Sequence, residues 1–260
     1  MAAPPINLDF YPANWHSPRD GATPLVIVAH GTVGTDSRKY LQRGGERADG
    51  SDRKVSIHTL FSKSGTIYRQ VDDEHAAHHA GGELLRTGVI SSKLTIGGAV
   101  YRGHAINRVS LGFELENLQN GLDPYPDAQL LAMGWQIGVW RQIHGPLPVT
   151  RHATIDPGRR SDPVGLTVAA IELWVARAAA DAQPKHFRVK AKSGANVRLG
   201  RSVGTRVLTV LGPGDAWAGY VTPGERVSVP GFGASNEWIC DAAGRCVWRG
   251  LLDEVGNDAS

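Results

Sequence analysis

Cysteine is nearly absent from this sequence, because Cys240 and Cys246 are the only two in 260 residues. Their spacing is not that of a zinc knuckle, and no further cysteine exists to complete one. Two alternatives stay open for the pair: a short-loop disulfide, which requires an oxidising compartment, or two buried free thiols. In either case the cysteines do not bear on catalysis.

The chain also lacks a strong charge of one sign. The formal net charge is +3, an excess that suits an anionic polymer such as cell wall and equally suits an ordinary protein. This excess is too small to predict a nucleic-acid partner. We therefore expect no nucleic acid among the partners.

Long apolar runs are missing as well. The most apolar helix-like stretch, residues 165–180, contains Glu172 and Arg177, so we expect no insertion into a membrane. The first 21 residues have no basic start followed by an apolar run, and they do not predict a secretory signal. A target outside the membrane would therefore require another export route or a leader removed from the chain.

Alternating strand and helix patterns over the first two thirds predict an α/β domain with a central sheet. Residues 24–30 form a continuous apolar run typical of a buried strand, and residues 55–71 predict two strands around a Ser-Gly turn. Residues 110–118 predict another strand. Apolar residues at helical spacing follow over 127–145, where Gly145 marks the end, and a second helix is predicted over about 166–182.

Composition changes near residues 181–186, after which short β-like runs are separated by glycines and no helical period remains. This pattern predicts a separate small β-barrel of roughly 70 residues, a size that can fold alone. We therefore expect two domains, over residues 1–183 and 187–255.

Two of the ten histidines stand out by their position. His30 ends the first apolar strand, where sites are often built on α/β scaffolds. His152 opens a loop rich in proline and glycine, and Asp162 follows ten residues later. Zinc binds histidine nitrogen and carboxylate oxygen, and a catalytic site has three protein ligands, so these residues can supply a set. Spacing alone does not show that they meet, and a solvated loop remains the alternative.

Five motifs in order are distinctive: VIVAHGT, VSIHTLFSKSGTIYRQV, HHAGG, NRVSLGFELEN and RHATIDPGRRSDP, which lie within about residues 24–165. With them the chain resembles the type 2 N-acetylmuramoyl-L-alanine amidases, the family that includes phage lysozyme-like amidases and peptidoglycan recognition proteins. The resemblance implies a central mixed β-sheet flanked by helices. It also implies a Zn²⁺ cofactor on His30, His152 and Asp162.

The same resemblance implies a catalytic acid/base at Glu114. On a strand Glu114 and Glu116 share one face, so alternation cannot separate them, and Glu116 is left as a nearby or rim carboxylate. The family often has a lysine two residues before the aspartate ligand, where this chain has Arg160. Arginine still offers donors to an oxyanion, although its planar fork differs from a point charge. Arg159 is the weaker choice for that role.

The resemblance places two further histidines at the substrate cleft. His79 matches a residue that lines it, and the preceding position, often tryptophan in the family, is His78 here. His58 matches a position near the site, for which substrate contact and a structural role stay equally open. The segment 37–54 is expected to border the cleft. His75, His104 and His144 are given no role.

The carboxy-terminal part resembles bacterial SH3-like domains, which commonly bind cell wall. The segments AKSGANVRLGRSVGTRVLTVL and GRCVWRGLL carry this resemblance over about residues 187–254. A wall-binding tail would raise the local concentration of an enzyme on an insoluble polymer. Four aromatic residues can form a binding surface or fill the barrel core, and the core is favoured for at least two of them: Trp217, Tyr220, Trp238 and Trp248.

The expected function is therefore a zinc-dependent hydrolase that cuts the amide between N-acetylmuramic acid and L-alanine in peptidoglycan, as an endolysin or autolysin. We expect a monomer that acts on the cell wall, outside the cell or in the periplasm, with cytoplasmic accumulation and phage-type release as one route. Two alternatives remain: a non-catalytic peptidoglycan-binding protein, and a zinc peptidase that cuts within the stem peptide.

Overall fold

The computed structural model describes residues 8–34, 37–46, 50, 52–81, 91–181, 185–241 and 245–255. The chain divides into two compact units. The first unit is Tyr11–Ala178, and the second joins the amino-terminal residues up to Phe10 to the chain from Ala179 onward. Among the described residues, no helix is long and apolar enough to cross a membrane.

The described elements before residue 182 are strands with five helices placed among them, a mixed α/β composition. In chain order they are β1 (Leu8–Phe10), β2 (His16–Pro18), β3 (Val26–Gly31), α1 (Ser37–Arg43), β4 (Gly45–Glu46), β5 (Asp52–Arg53), β6 (Thr59–Phe61), β7 (Ile67–Arg69), β8 (His75–Ala77), β9 (Lys93–Ile96), β10 (Ala99–Arg102), α2 (His104–Val109), β11 (Ser110–Leu115), α3 (Asp127–His144), β12 (Val149–Arg151), α4 (His152–Ile155) and α5 (Val168–Asp181).

The central sheet of the first unit is mixed. Its strands run in the order β7-β6-β11-β3-β12. Strand β11 pairs in parallel with both β3 and β6, and β12 pairs in parallel with β3, whereas β6 and β7 form an antiparallel hairpin. All six residues of β3 are buried, which is what a continuous apolar run predicts for a strand covered on both faces. The predicted mixed α/β architecture is confirmed for this unit.

Helix α3 was predicted from its apolar spacing, and Leu130, Met133, Ile137 and Trp140 are all buried in the structure. The helix ends where Gly145 has a positive φ of 87° and donates its backbone N–H to the carbonyl of Arg141. The predicted helix over 166–182 is observed as α5.

Helices α3 and α5 approach closely at a glycine. A Cβ on Gly134 of α3 would lie 2.3 Å from the carbonyl oxygen of Trp174 in α5. The absence of a side chain at Gly134 therefore sets the distance between the two backbones.

Strand β11 is shorter than the predicted strand over 110–118, since it ends at Leu115. The chain turns away there because the side chain of Asn117 donates to the carbonyl of Asp123, and the N–H of Leu118 donates to the Asp123 carboxylate. Glu116 therefore lies one residue past the end of β11, so the strand predicted over 110–118 stops short of it.

The second unit is a separate antiparallel β structure. After α5 its elements are β13 (Lys185–Val189), β14 (Ala195–Leu199), β15 (Val207–Leu211), β16 (Ala216–Val229), β17 (Gly233–Cys240), β18 (Arg245–Trp248), η1 (Arg249–Leu251) and β19 (Leu252–Val255). Strands β13 to β19 form one seven-stranded sheet in the order β15-β14-β18-β17-β16-β13-β19. Its buried core includes Phe187, Val197, Ile239 and Val247.

Two open alternatives of the second unit are decided by the structure. Cys240 and Cys246 pair as a disulfide across β17 and β18, so they are not free thiols. Trp238 and Trp248 are buried, with 1% and 4% of their surfaces exposed, and therefore belong to the core. Trp217 is partly buried and packs against the apolar cluster that contains Phe187, Ile239 and Val247.

Candidate active site

The site is built at the carboxyl ends of three parallel strands, where ligands of open α/β sheets commonly bind. His30 is the next-to-last residue of the buried central strand β3. In the parallel register, Glu114 of β11 lies opposite His30 on one side. On the other side Arg151, the last residue of β12, lies opposite Ala29, so His152 emerges beside His30. Sheet register therefore brings these distant parts of the chain together.

Asp162 reaches the same point because the loop after β12 closes on itself. The N–H of Ala153 donates to the carbonyl of Asp162 over 3.0 Å. The guanidinium of Arg151 donates to the carbonyl of Pro163 over 3.0 Å. The carboxylate of Asp162 also accepts the N–H of Gly31 at 3.3 Å. The loop that leaves at His152 thus returns to it ten residues later.

The three predicted ligands present their donor atoms to a common centre. His30 Nδ1 lies 2.9 Å from His152 Nδ1, and Asp162 Oδ2 lies 3.1 Å from His152 Nδ1 and 3.6 Å from His30 Nδ1. A tetrahedral zinc ion with bonds of about 2.0–2.1 Å separates its ligand atoms by about 3.3 Å. The described His30, His152 and Asp162 atoms therefore fit zinc in both chemistry and spacing.

Burial keeps the imidazole of the candidate ligand His30 neutral, the form that can bind a metal. The pKa of His30 is lowered well below its usual range, first by burial and then by the neighbouring His152, His79 and Arg160. A neutral imidazole retains a lone pair for a metal, whereas an imidazolium does not. His30 is thus prepared to bind a cation without first losing a proton.

The three candidate ligands line a cavity of about 720 Å³ that is also lined by Glu114, Tyr40, Lys54 and Gln119. Glu114 Oε2 is buried and has no hydrogen-bond partner among the described residues. Burial is the main cause that raises the pKa of Glu114 well above its usual range, and Asp162 adds to it while Arg160 opposes it. An unpartnered buried carboxyl group beside a metal-binding set is arranged for proton transfer.

The two arginines of the loop differ in their contacts. Arg159 donates from Nε and Nη2 to the buried carboxylate of Asp156 at 3.0 and 2.9 Å, and Ser91 donates to the same oxygen. Arg160 is exposed and lines the cavity. No hydrogen bond or ion pair of its guanidinium occurs within the described part of the chain. The guanidinium of Arg160 is therefore available to a bound molecule.

The predicted substrate residues His79 and His58 lie at different depths. His79 lines the cavity, and its Nδ1 lies 2.9 Å from His30 Nε2. His58 is fully buried and does not line the cavity. The N–H of Gly112 donates to His58 Nδ1 at 2.9 Å, and His58 Nε2 lies 3.0 Å from both the His75 carbonyl oxygen and Arg19 Nη2. These contacts favour the structural alternative for His58.

Sequence reasoning missed three residues around the site. Asp156 is buried in the HATIDPGRRSDP loop, where a second aspartate among charged residues was the available signal. Arg19, in a segment without strand or helix pattern, is buried and donates to backbone carbonyls such as that of Ser110 at 3.0 Å. His104 lines the cavity although it was given no role. No local signal distinguishes Arg19 or His104.

The comparisons with known proteins agree with this geometry. The family model described as N-acetylmuramoyl-L-alanine amidase matches residues 20–165, more than half of the chain. A search of curated proteins finds no match. The crystal structure of a selenomethionine AmpD derivative has a TM-score of 0.51 at 20% identity, covering 64% of this chain and 93% of that chain, which is a likeness of fold.

Two further solved structures are similar to this chain with lower TM-scores. The amidase LysC from Clostridium intestinale is 18% identical and covers 65% of this chain and 97% of that chain, with a TM-score of 0.44. AmiD from E. coli, solved with a muropeptide substrate, is 27% identical, with 58% of this chain and 55% of that chain covered and a TM-score of 0.39.

Proposed function

The chain belongs to the N-acetylmuramoyl-L-alanine amidase family, and from that premise we propose that it hydrolyses the lactyl amide of peptidoglycan with a zinc ion held by His30, His152 and Asp162. One observation carries the proposal: three metal-binding atoms and the unpartnered carboxyl group of Glu114 share one cavity. A non-catalytic wall-binding protein has no need for such a set.

Glu114 is the proposed proton-transfer residue. A bound zinc ion supplies Lewis-acid chemistry that acidifies water and polarises a carbonyl group. Glu114 accepts the proton of the attacking water as the oxygen adds to the carbonyl carbon of the lactyl amide. It then returns that proton to the leaving nitrogen of L-alanine.

Arg160 is the proposed group that stabilises the developing oxyanion. Its guanidinium is always charged, lines the cavity and is not engaged by the described residues. Donors aimed at the place where negative charge develops lower the barrier more than they strengthen ground-state binding. We keep His79 as a residue of the cavity wall and assign His58 to the structure beneath it.

For the second unit we propose an SH3-like module, about residues 187–255, that binds cell wall, with the catalytic domain at about 1–183. Its support is a seven-stranded antiparallel sheet with its own apolar core. The disulfide between Cys240 and Cys246 favours action outside the reducing cytoplasm, because such bonds persist in oxidising compartments. We place the site of action at the cell wall, and we propose that the protein works as a monomer.

Metal analysis combined with a wall-clearing assay tests the proposal. Purified protein is expected to contain one zinc ion per chain and to lower the turbidity of isolated sacculi, and His152→Ala is expected to lose both properties. A chelator should stop the wild-type reaction, and added zinc should restore it. Clearing that persists without metal would contradict the proposal, and binding to sacculi without any clearing would favour the non-catalytic alternative.

A further inference from the structure

We propose that His79 is a positioning residue that fixes the ring and tautomer of the ligand His30, through a directed hydrogen-bond chain that ends on a backbone carbonyl. The proposal rests on the proposed function, because it assumes a zinc ion on His30 Nδ1. The inference concerns the other ring nitrogen of His30, Nε2, which lies on the side of the ring away from the proposed zinc ion. His30 Nε2 lies 2.9 Å from His79 Nδ1, and His79 Nε2 lies 3.2 Å from Ser110 Oγ.

The direction of the chain follows from its last member. Ser110 is fully buried, and its hydroxyl donates its single proton to the carbonyl of Ile106 over 2.7 Å. Ser110 Oγ can then only accept from His79, so His79 holds its proton on Nε2 and offers a lone pair on Nδ1. That lone pair accepts the Nε2–H of His30. A histidine with its proton on Nε2 has its free lone pair on Nδ1, the atom that faces His152 and Asp162.

The His79 ring is held on several sides. It meets the His30 ring edge to face, at an interplanar angle of 89°. The backbone is anchored before and after the ring, since the N–H of His78 donates to Ser56 Oγ and the N–H of Ala80 donates to Asn107 Oδ1. These contacts leave the ring little freedom to turn away from His30.

A glycine in β11 provides the space for this ring. A Cβ on Gly112 would lie 2.6 Å from His79 Nδ1 and 2.8 Å from its Cγ. Real side chains do not approach so closely, so any other residue at 112 would displace the imidazole. Strand β11 therefore contributes Glu114 to the cavity and, two residues earlier, the opening into which His79 fits.

The physical effect is on metal affinity. A ligand imidazole whose other nitrogen is hydrogen-bonded is oriented in advance and is more basic, and loss of such a partner commonly weakens metal binding about 10- to 100-fold. We expect His79→Leu to fall in this range. His79→Gln, whose amide oxygen can still accept from His30, should lie between His79→Leu and wild type. Ser110→Ala, which acts one step further away, should weaken binding about tenfold or less.

The test is a competition titration of Zn²⁺ against a chromogenic chelator, with the full-length, metal-free protein and each variant. The matched control is Ser92→Ala, since Ser92 is also fully buried and its hydroxyl has no partner within the described residues. This control should bind zinc as wild type does. Circular dichroism of the metal-free proteins separates weakened affinity from lost folding, and Gly112→Ala offers a second way to displace the ring if His79→Leu does not fold.

Nitrogen-15 NMR of the zinc-loaded wild type gives a readout that needs no variant. We expect the proton of His79 on Nε2 and that of His30 on Nε2. A proton on His79 Nδ1, or equal zinc affinity of His79→Leu, Ser110→Ala and Ser92→Ala, would overturn the inference. A wild-type protein that binds no zinc would instead overturn the proposed function, so the two failures are distinguishable.

Discussion

The two units of the molecule differ in the polarity of their buried side chains. Within the described residues, every buried polar or charged side chain lies between Arg19 and Asp156, in the first unit. The buried side chains of the second unit are apolar or belong to the disulfide, as in its core around Phe187. Its buried indoles donate to backbone groups, Trp238 to the carbonyl of Glu225 and Trp248 to that of Ser235.

The unit that contains the candidate active site is thus also the unit with the buried polar side chains. A buried polar group that is left without a partner costs about 1–3 kcal/mol. The first unit pairs many of its buried polar groups through contacts such as His30 with His79, but within the described residues it leaves others unpartnered, among them Glu114 in the cavity and Ser92. The second unit has an apolar core and a covalent crosslink. Four changes test whether the two units differ in this way.

The largest effect is expected at Glu114. Glu114→Gln should keep zinc and lower kcat on peptidoglycan by about 10²- to 10⁴-fold, because the amide cannot transfer the proton. Glu116→Gln is the matched control, since Glu116 accepts the N–H of Lys63 and does not line the cavity. Near-normal turnover of Glu114→Gln in a muropeptide assay would remove Glu114 from the mechanism.

A smaller effect is expected at Arg160. Arg160→Ala should reduce kcat up to about 10²-fold with little change in KM, the pattern of a contact made in the transition state. Arg160→Lys should recover much of the loss, because it retains the charge. Arg159→Ala should lower stability rather than kcat, since Arg159 is bonded to Asp156. If steady-state kinetics reverse the order of the two arginines, the assignment is wrong.

The disulfide tests the second unit without touching the first. Replacing Cys240 and Cys246 together by alanine should cost about 2 kcal/mol, as expected for a crosslink that closes so short a loop. Hydrogen exchange should accelerate in β17 and β18, while turnover of a small soluble muropeptide stays unchanged. A matching loss of turnover would show that the units depend on each other more than their separate sheets suggest.

The smallest effect concerns acid stability and His58. Burial, followed by the nearby Arg19, lowers the pKa of His58 to about 3 from 6.5. Between pH 6.5 and about 3, His58 is protonated in the unfolded chain but not in the folded protein. The contribution of His58 to the free energy of unfolding is therefore complete above pH 6.5 and decreases as the pH falls from 6.5 to about 3. Lowering the pH from about 7.5 to about 5.5 should therefore reduce the free energy of unfolding by about 1.4 kcal/mol through His58 alone.

Urea unfolding at several pH values measures this dependence, and His58→Asn provides the comparison, since it is neutral at every pH in the window. The variant should be less stable at neutral pH but should lose less stability on acidification. An identical slope in the two proteins would mean that His58 does not titrate on unfolding.

The sequence predicted much of the first unit because its signals are local. The run that ends at His30 gives β3, and the apolar spacing from Leu130 to Trp140 gives α3. The proposed ligand set was predicted from the ordered motifs of one family. Sequence spacing could not predict it, because His30 and His152 are 122 residues apart and meet only through the parallel register of the strands. Such register has no local signature in the sequence.

The remaining features depend on long-range contacts. Arg19 lies in a segment without periodicity, yet it is buried against the carbonyls of Asn107, Arg108 and Ser110. Likewise, the pairing of His79 with His30 depends on the space at Gly112, which only the packed strands define. The end of β11 at Leu115 was missed because contacts of Asp123 turn the chain away from the sheet.

Mass analysis of digested peptidoglycan would identify the bond that the protein cuts. Isolated sacculi are treated with zinc-loaded protein, metal-free protein and Glu114→Gln, and the products are separated and sequenced. We expect intact glycan strands and free stem peptides with a new amino-terminal L-alanine, released by the zinc-loaded wild type alone. Cleavage within the stem peptide, or the same products from the metal-free protein, would contradict the assignment of a zinc amidase site at His30, His152 and Asp162.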